Sequence, residues 1–155
     1  DTRLLRLTNP MPRAWFVASA QIADDQAALA AMQRDDFDPR AVAYLANALP
    51  VTIQPNSAKS TAAIQSHSAE RVTLGVNALG DGLLVLSGNY YYPGWVAQVD
   101  GVATPIVRAD IALSGVPVRA GAKQVELIFD PWSVKIGILI SAAKILGLVG
   151  IFVRR

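Results

Sequence analysis

The sequence contains no cysteine, which excludes disulfides, thiol nucleophiles and thiolate metal sites. It also contains no Walker loop, dinucleotide-binding glycine fingerprint, HExxH or GxSxG motif. Charge is scarce, since 14 basic and 12 acidic residues leave a formal net charge of +2, and no basic stripe alternates with aromatic residues. The composition therefore predicts no nucleic-acid partner, no cofactor and no metal site.

The hydrophobic residues make up 52% of the chain and are not spread evenly. Residues 133–153, SVKIGILISAAKILGLVGIFV, would span roughly 31 Å as a helix, against a bilayer hydrocarbon core of about 30 Å. We predict a transmembrane helix here, with a helix buried against its own domain as the alternative. Arg154 and Arg155 close the run, and the positive-inside tendency places them in the cytoplasm and the preceding residues outside.

Two lysines interrupt this predicted helix. Lys135 near its start can extend toward the membrane interface, whereas an unpaired Lys144 near its middle costs on the order of 3 kcal/mol. We therefore predict that Lys144 contacts a neighbouring transmembrane helix. The chain begins at Asp1 without an initiator Met or a signal peptide, which is typical of a mature product or of the end of a longer protein.

The body of the chain predicts a mainly β fold, with an antiparallel β-sandwich over residues 71–132 and one C-terminal transmembrane helix over 133–155. Asp100-Gly101 is the strongest local signal, because this dipeptide favours a type I′ hairpin turn. Three strand pairs are predicted from alternating apolar residues around glycine-containing turns: 71–78 with 83–89, 96–99 with 102–107, and 116–119 with 123–129.

Residues 1–54 have a different pattern and predict a small α/β lead-in. Strands at 3–8 and 13–18 precede a helix that Asp24 or Asp25 caps and that ends before Asp38-Pro39. A further strand at 41–46 would complete a β-α-β unit. Residues 55–70 are polar and rich in small side chains, which predicts a long loop or an edge strand joining the two parts.

Several short motifs follow one another in a characteristic order: NP at 9–10, PRAWFV at 12–17, FDPR at 37–40, NYYYPGW at 89–95, VDG at 99–101, TPI at 104–106 with Arg108, VPVRAG at 116–121, VEL at 125–127, and DPWS at 130–133 before Lys135 and Gly137. Their order and spacing resemble the C-terminal region of the bacterial YfhO-like membrane proteins. The resemblance covers most of the chain apart from its serine-rich middle.

This resemblance implies a polytopic protein similar to the glycosyltransferases that use lipid-linked sugars. It also implies that the β domain is held outside the cytoplasm before the last helix. The acidic catalytic loop of such an enzyme is expected near the start of the full protein, so the present residues alone are expected to be inactive.

The aromatic row Tyr90, Tyr91, Tyr92 and Trp95 is the candidate glycan-contact site. The rings could form a platform for a sugar, with Asn89 and Asp100 donating or accepting directional hydrogen bonds. Packing is the alternative and the favoured interpretation, because about half the rings of an alternating strand face the core. Asp100-Gly101 is interpreted as a turn rather than a ligand contact.

Other polar residues favour structural roles. His67, the only histidine, lies in a polar segment and is interpreted as solvated. Arg13 and Arg40 could meet a lipid phosphate, but pairing with nearby acidic residues or solvation is favoured. The acidic residues around the predicted helix fit no calcium loop and are interpreted as helix caps or surface charge: Asp24, Asp25, Asp35, Asp36 and Asp38.

Three functional hypotheses follow. The chain is an extracytoplasmic domain that assists a glycosyltransferase, a single-span structural or assembly subunit of a membrane complex, or a noncatalytic glycan-binding module. The expected partners are the lipid bilayer, neighbouring helices through Lys144, and a glycan or lipid-linked sugar. No catalytic residue is predicted in this chain.

Overall fold

The computed structural model describes residues 10–89, 94–134, 136, 137, 140, 141 and 144. Within them the chain forms the α-helix α1 (Asp25–Met32) and a 3-10 turn at Pro55–Lys59. The backbone is also helical at residues 132–134, 136, 137, 140, 141 and 144. The strands are β1 (Ala14–Phe16), β2 (Ser19–Ile22), β3 (Val42–Leu45), β4 (Thr61–His67), β5 (Arg71–Asn77), β6 (Gly82–Asn89), β7 (Trp95–Val99), β8 (Val102–Thr104), β9 (Val107–Ala109), β10 (Leu113–Val118) and β11 (Gln124–Phe129). The predicted mainly β class is confirmed.

The strands form two sheets. The six-stranded sheet has the order β1-β6-β10-β9-β3-β2, and the five-stranded sheet has the order β4-β5-β11-β7-β8. Neighbouring strands are antiparallel except β2 and β3, which are parallel and are joined by α1. The lead-in helix thus belongs to a β-α-β unit at one edge of the six-stranded sheet.

The two sheets pack against each other through a shared core in a sandwich-like arrangement. Phe16, Leu84 and Val116 of the six-stranded sheet contact the same buried cluster as Leu74 and Val125 of the five-stranded sheet. Alternate residues of β1 and β6 face the other way, where Trp15, Leu83 and Val85 form a second buried cluster. Because β6 is buried on both faces, its sequence is a continuous apolar run, LLVL, rather than an alternating one.

Two of the predicted strand pairs are wrong. β5 and β6 do not pair, and neither do β10 and β11, because each connection crosses from one sheet to the other. The two crossings lie side by side: Gly121 N donates to Ala78 O at 2.8 Å, and Ala120 N donates to the Asp81 carboxylate at 2.8 Å. A glycine-containing connection of this length permits either a hairpin or a crossing, and burial of both inner faces favours the crossing.

The predicted Asp100-Gly101 hairpin is confirmed between β7 and β8, with φ of 47° and 80° at the two turn residues. The predicted second strand of this pair is too long. It ends at Thr104, and after Pro105 and Ile106 the chain enters β9 in the other sheet. Proline has no N–H to donate to a strand partner, which accounts for the break.

Asp24 caps α1 as predicted, since its carboxylate accepts a hydrogen bond from Ala27 N at 2.8 Å. The predicted strand at 3–8 lies outside the described residues. Segment 55–70, predicted as a loop or an edge strand, contains the 3-10 turn and β4, which is an outer strand of the five-stranded sheet. The boundaries at 54, 70 and 132 remain predictions.

Candidate functional site

The two ends of the sandwich are distinguished by where the strands begin and finish. The crossings at 78–82 and 119–123 mark one end, where β5 and β10 finish and β6 and β11 begin. β6 and β11 therefore finish at the opposite end, at Asn89 and Phe129. We call this opposite end the exit end, since the C-terminal segment departs from it.

A row of paired residues marks the exit end across the six-stranded sheet. Asn89 is opposite Leu113, Leu113 is opposite Ala109, Ala109 is opposite Leu45, and Leu45 is opposite Ile22. Strand β2 joins this row at its last residue, Ile22. Its first residue, Ser19, lies two residues after Val17, whose N–H donates to Leu83 O beside the crossing at 78–82.

The exit end is joined to the C-terminal segment by a compact aromatic contact. The rings of Trp95 and Phe129 lie 5.4 Å apart, and Asp130 N donates to Gly94 O at 2.6 Å. Gly94 has φ of 115°, and a Cβ on it would lie 2.8 Å from Pro131 Cβ. Only glycine fits this backbone without displacing its neighbours. The junction therefore fixes where the chain leaves the sheet.

Of the four residues in the predicted glycan-contact row, Trp95 alone is among the residues that the structure describes. Tyr90, Tyr91 and Tyr92 lie outside the described residues, so the platform stays a prediction. Trp95 is half-buried, packs on the shared core and contacts Phe129. Asp100, offered as a hydrogen-bonding partner for the sugar, accepts from Lys123 N and Gln124 N and thereby fixes the hairpin to β11.

Beyond the junction the described residues are exposed. Trp132 is 74% exposed, and Ile136 and Ile140 are 52% and 54% exposed. The predicted span 133–153 is described only at Ser133, Val134, Ile136, Gly137, Ile140, Ser141 and Lys144, all helical and exposed. The other residues of the span lie outside the described residues, so the transmembrane helix and the buried-helix alternative both stay predictions. In the described part of the chain, no helix has both the length and the apolar content that crossing a membrane requires.

Lys144 is helical and exposed. It forms no salt bridge with a residue in the described ranges. The contact predicted for it with a neighbouring helix therefore stays a prediction, and Lys135 lies outside the described residues.

Asp36 and Asp38, which follow α1, form hydrogen bonds with residues close to them in the chain. Asp36 accepts two hydrogen bonds from Arg34 at 2.9 Å, which lower the pKa of its carboxyl group, and the Asp38 carboxylate accepts from Arg40 N. The partner of Asp36 is thus Arg34 rather than Arg13 or Arg40. No group of three metal-ligating side chains occurs among the residues that the structure describes. His67 is exposed on β4.

A polar cluster at the exit end has no clear sequence signal. Arg108 donates to both oxygens of Asp25, at 2.6 and 3.0 Å, and thereby ties β9 to the start of α1. Asp110 is 5% exposed and accepts from Tyr44 N at 2.8 Å. The next residue, Ile111, has φ of 69°, and Ala112 N donates to Asp110 O at 2.7 Å. This γ-turn is strained for a β-branched residue, so its position depends on the surrounding contacts.

Burial raises the pKa of the Asp110 carboxyl group above its ordinary value of 3.8, and the hydrogen bond from Tyr44 N partly offsets the rise. The folded state therefore binds the proton more tightly than the unfolded state, and stability from this group falls as pH rises from 3.8 through the raised pKa. Over this pH interval we expect the free energy of unfolding of the native protein to fall, relative to that of Asp110→Asn, by about 1 kcal/mol for each unit by which the pKa is raised. Urea unfolding of the native protein and of Asp110→Asn at several pH values in this interval measures the effect. If the difference between their free energies of unfolding did not change with pH, the prediction would be wrong.

A second feature missed by sequence reasoning is an open cleft of about 320 Å³ along the outer strand β2, which we call the β2 cleft. One wall is formed by residues 18–22 and the other by the segment after β3, with Leu45 between them. Leu49 and Ile53 of that segment also pack on the second buried cluster. The lining residues are Ala18, Ser19, Ala20, Gln21, Ile22, Leu45, Ala48, Leu49, Val51, Thr52 and Ile53.

The family described as bacterial membrane protein YfhO matches residues 47–141, which is more than half of the chain and includes the five-stranded sheet, the junction and the first residues of the C-terminal segment. No curated protein and no solved structure matches the chain.

Proposed function

The chain belongs to the family of the bacterial membrane protein YfhO, and from this membership we propose that it forms the extracytoplasmic β domain and the last transmembrane helix of a larger membrane protein. In that protein it assists a glycosyltransferase that uses a lipid-linked sugar. The catalytic residues belong to another part of the protein.

The observation that carries this proposal is the exposure of the C-terminal segment. Val134, Ile136 and Ile140 are helical, apolar and more than half exposed, so the β domain does not cover them. An apolar helix that is exposed to this extent in its own chain is stable in lipid or against other helices. The junction at Gly94, Phe129 and Pro131 holds the start of that helix against the domain.

Three of the described carboxylates form structural hydrogen bonds, which agrees with a noncatalytic role. Asp24, Asp100 and Asp110 each accept hydrogen bonds from backbone N–H groups. These three acidic side chains therefore hold a helix start, a hairpin and a turn. The supporting role beside a transferase rests on the family resemblance.

A single-span assembly subunit is the second candidate, and the exposed Lys144 favours it equally. A lysine in the middle of a lipid-embedded helix requires a partner from another helix. The two candidates differ in the native protein: intact mass and peptide mapping would give a chain several times longer for the transferase domain and one of about this size for the subunit.

Cysteine labelling tests the arrangement directly, because this chain has no cysteine. Single cysteines are placed at Ala103, which is exposed on β8, and at Arg155, with any cysteines elsewhere in the full protein replaced. In intact cells we expect a membrane-impermeant maleimide to modify Ala103→Cys and to modify Arg155→Cys only after permeabilisation. Labelling of Arg155→Cys alone in intact cells would contradict the proposed orientation.

A further inference from the structure

Trp132 begins the helical segment that leaves the exit end, and its side chain is largely exposed. The indole ring combines a large apolar surface with one N–H donor. Such side chains concentrate where a bilayer meets water, because the ring leaves water there while the N–H keeps polar partners. The apolar residues 133–153 follow Trp132 directly. Trp132 therefore stands at the boundary between the β domain and the segment that we place in the bilayer.

The turn between β4 and β5, residues 68–70, lies beside the same boundary, and we call it the β4–β5 turn. Phe129 N donates to Glu70 O at 2.8 Å, and Ile128 is paired with Arg71. The last residues of β11 are therefore bonded to this turn just before the chain continues to Trp132.

The β4–β5 turn is polar and compact. Ser68, Ala69 and Glu70 are exposed. The Ser68 hydroxyl accepts from Arg71 N at 3.0 Å, and Ser68 N donates to Arg71 O at 2.8 Å. The Arg71 guanidinium forms an ion pair with Glu126 at 3.1 Å. Such a turn suits the hydrated headgroup layer, because a carboxylate moved into hydrocarbon would lose its hydration without gaining a partner.

The connection between the β domain and Trp132 is short and constrained. Asp130 and Pro131 alone separate Phe129 from Trp132. Asp130 N donates to Gly94 O at 2.6 Å, and the ring of Pro131 fixes its own φ. This connection does not act as a flexible stalk, so the depth of Trp132 in the bilayer sets the height of the β4–β5 turn.

We propose that Trp132 and the β4–β5 turn form a lipid contact surface on which the β domain rests, with the Trp132 ring among the lipid carbonyl groups and the turn against the headgroups. This inference rests on the proposed function, because it requires the segment after Trp132 to enter the bilayer. It goes beyond anchoring, since anchoring by a helix does not by itself bring the domain into contact with lipid. The crossings at 78–82 and 119–123 are then held away from the lipid by the length of β11, roughly 17 Å for its six residues.

The test uses the full-length protein, with any cysteines elsewhere replaced, in liposomes that contain a lipid with a nickel-chelating headgroup. Single spin labels are placed on Ser133→Cys beside Trp132, on Ala69→Cys in the β4–β5 turn, and on Ala120→Cys in the crossing, all at exposed positions. Relaxation by nickel falls steeply with distance, so it reports how close each label lies to the headgroups. We expect the labels at 133 and 69 to be relaxed severalfold more strongly than the label at 120.

Substitutions of Trp132 test its part in the contact. We expect Trp132→Ser to lower the relaxation of the label at 69 toward that of the label at 120. Trp132→Tyr keeps an aromatic ring with a polar tip and should retain the strong relaxation. Val102→Ser is the matched control, because Val102 is also exposed but lies next to the Asp100-Gly101 hairpin, away from the exit end. It should leave the relaxation at all three labels unchanged.

The outcomes separate the lipid contact surface from the membrane anchor. Strong relaxation at 133 with equal relaxation at 69 and 120 would overturn the contact surface while the anchor stands. Strong relaxation at 69 that Trp132→Ser leaves unchanged would overturn the role of Trp132 in that surface. Relaxation at 133 no stronger than at 120 would overturn the anchor and the contact surface together.

Discussion

Replacing Leu84 with alanine should lower the free energy of unfolding by about 2 to 5 kcal/mol, the range for removing a large aliphatic side chain from a packed core. Leu84 is fully buried on β6 and lies in the core shared by both sheets. Its partners across the six-stranded sheet are Phe16 and Val116. The cavity left by the substitution would therefore weaken packing between the sheets as well as within one of them.

The matched control is the same substitution at Leu79. This side chain is 46% exposed in the crossing between the two sheets, so its removal should cost less than about 1 kcal/mol. Chemical unfolding of the detergent-solubilised protein, followed by tryptophan fluorescence, compares the two variants. Equal destabilisation by Leu84→Ala and Leu79→Ala would show that Leu84 is not buried in the core between the two sheets.

Replacing Gly94 with alanine should cost about 2 kcal/mol or more, because two effects combine. A residue with a side chain is strained at φ of 115°, and the added methyl group would meet Pro131 Cβ at 2.8 Å and Phe129 Cε2 at 3.1 Å. Relief of this crowding requires Pro131 or the Phe129 ring to move. We therefore expect loss of the Asp130–Gly94 hydrogen bond and displacement of the segment that leads into the C-terminal helix.

Hydrogen exchange at residues 94–99 and 124–130 measures this effect locally. Gly88→Ala is the control, because a Cβ at Gly88 meets no atom within 4 Å and its backbone has no positive φ. Faster exchange in both strands is expected for Gly94→Ala alone. The same exchange rates in Gly94→Ala and the native protein would show that the junction does not constrain the departing chain.

Features that depend on a few neighbouring residues were predictable from the sequence. Asp100-Gly101 specifies its hairpin because both residues tolerate positive φ, and Asp24 caps α1 because its carboxylate reaches Ala27 N. The family resemblance was likewise carried by short motifs and is confirmed by the match over residues 47–141.

The pairing of strands was less predictable, because the same alternating pattern fits a hairpin and a crossing between sheets. Nothing local to residues 78–82 identifies β10 and β1, rather than β5, as the neighbours of β6. The contact between Gly121 N and Ala78 O joins turns that are far apart in the chain. Such pairings follow from closing the shared core, which is a property of the whole fold.

The candidate sites likewise include one that is evident from neighbouring residues and others that depend on the whole fold. The apolar residues at 133–153 are evident from the sequence, whereas the β2 cleft joins residues 18–22 to residues 45–53 and exists only because β2 and β3 pair in parallel. The γ-turn at Ile111 was unpredictable for a different reason: positive φ is unfavourable for isoleucine, so its sequence argues against the conformation that tertiary contacts impose.

We propose that the helical segment after Trp132 lies in the bilayer while the β domain lies in water. Spin labels on Ile140→Cys and Ala103→Cys of the full protein in liposomes test it, since apolar oxygen collects in the hydrocarbon and a charged or polar nickel complex stays in water. We expect the Ile140 label to be relaxed mainly by oxygen and the Ala103 label mainly by nickel. An Ile140 label relaxed by nickel as strongly as the Ala103 label would show that this segment is not in the bilayer.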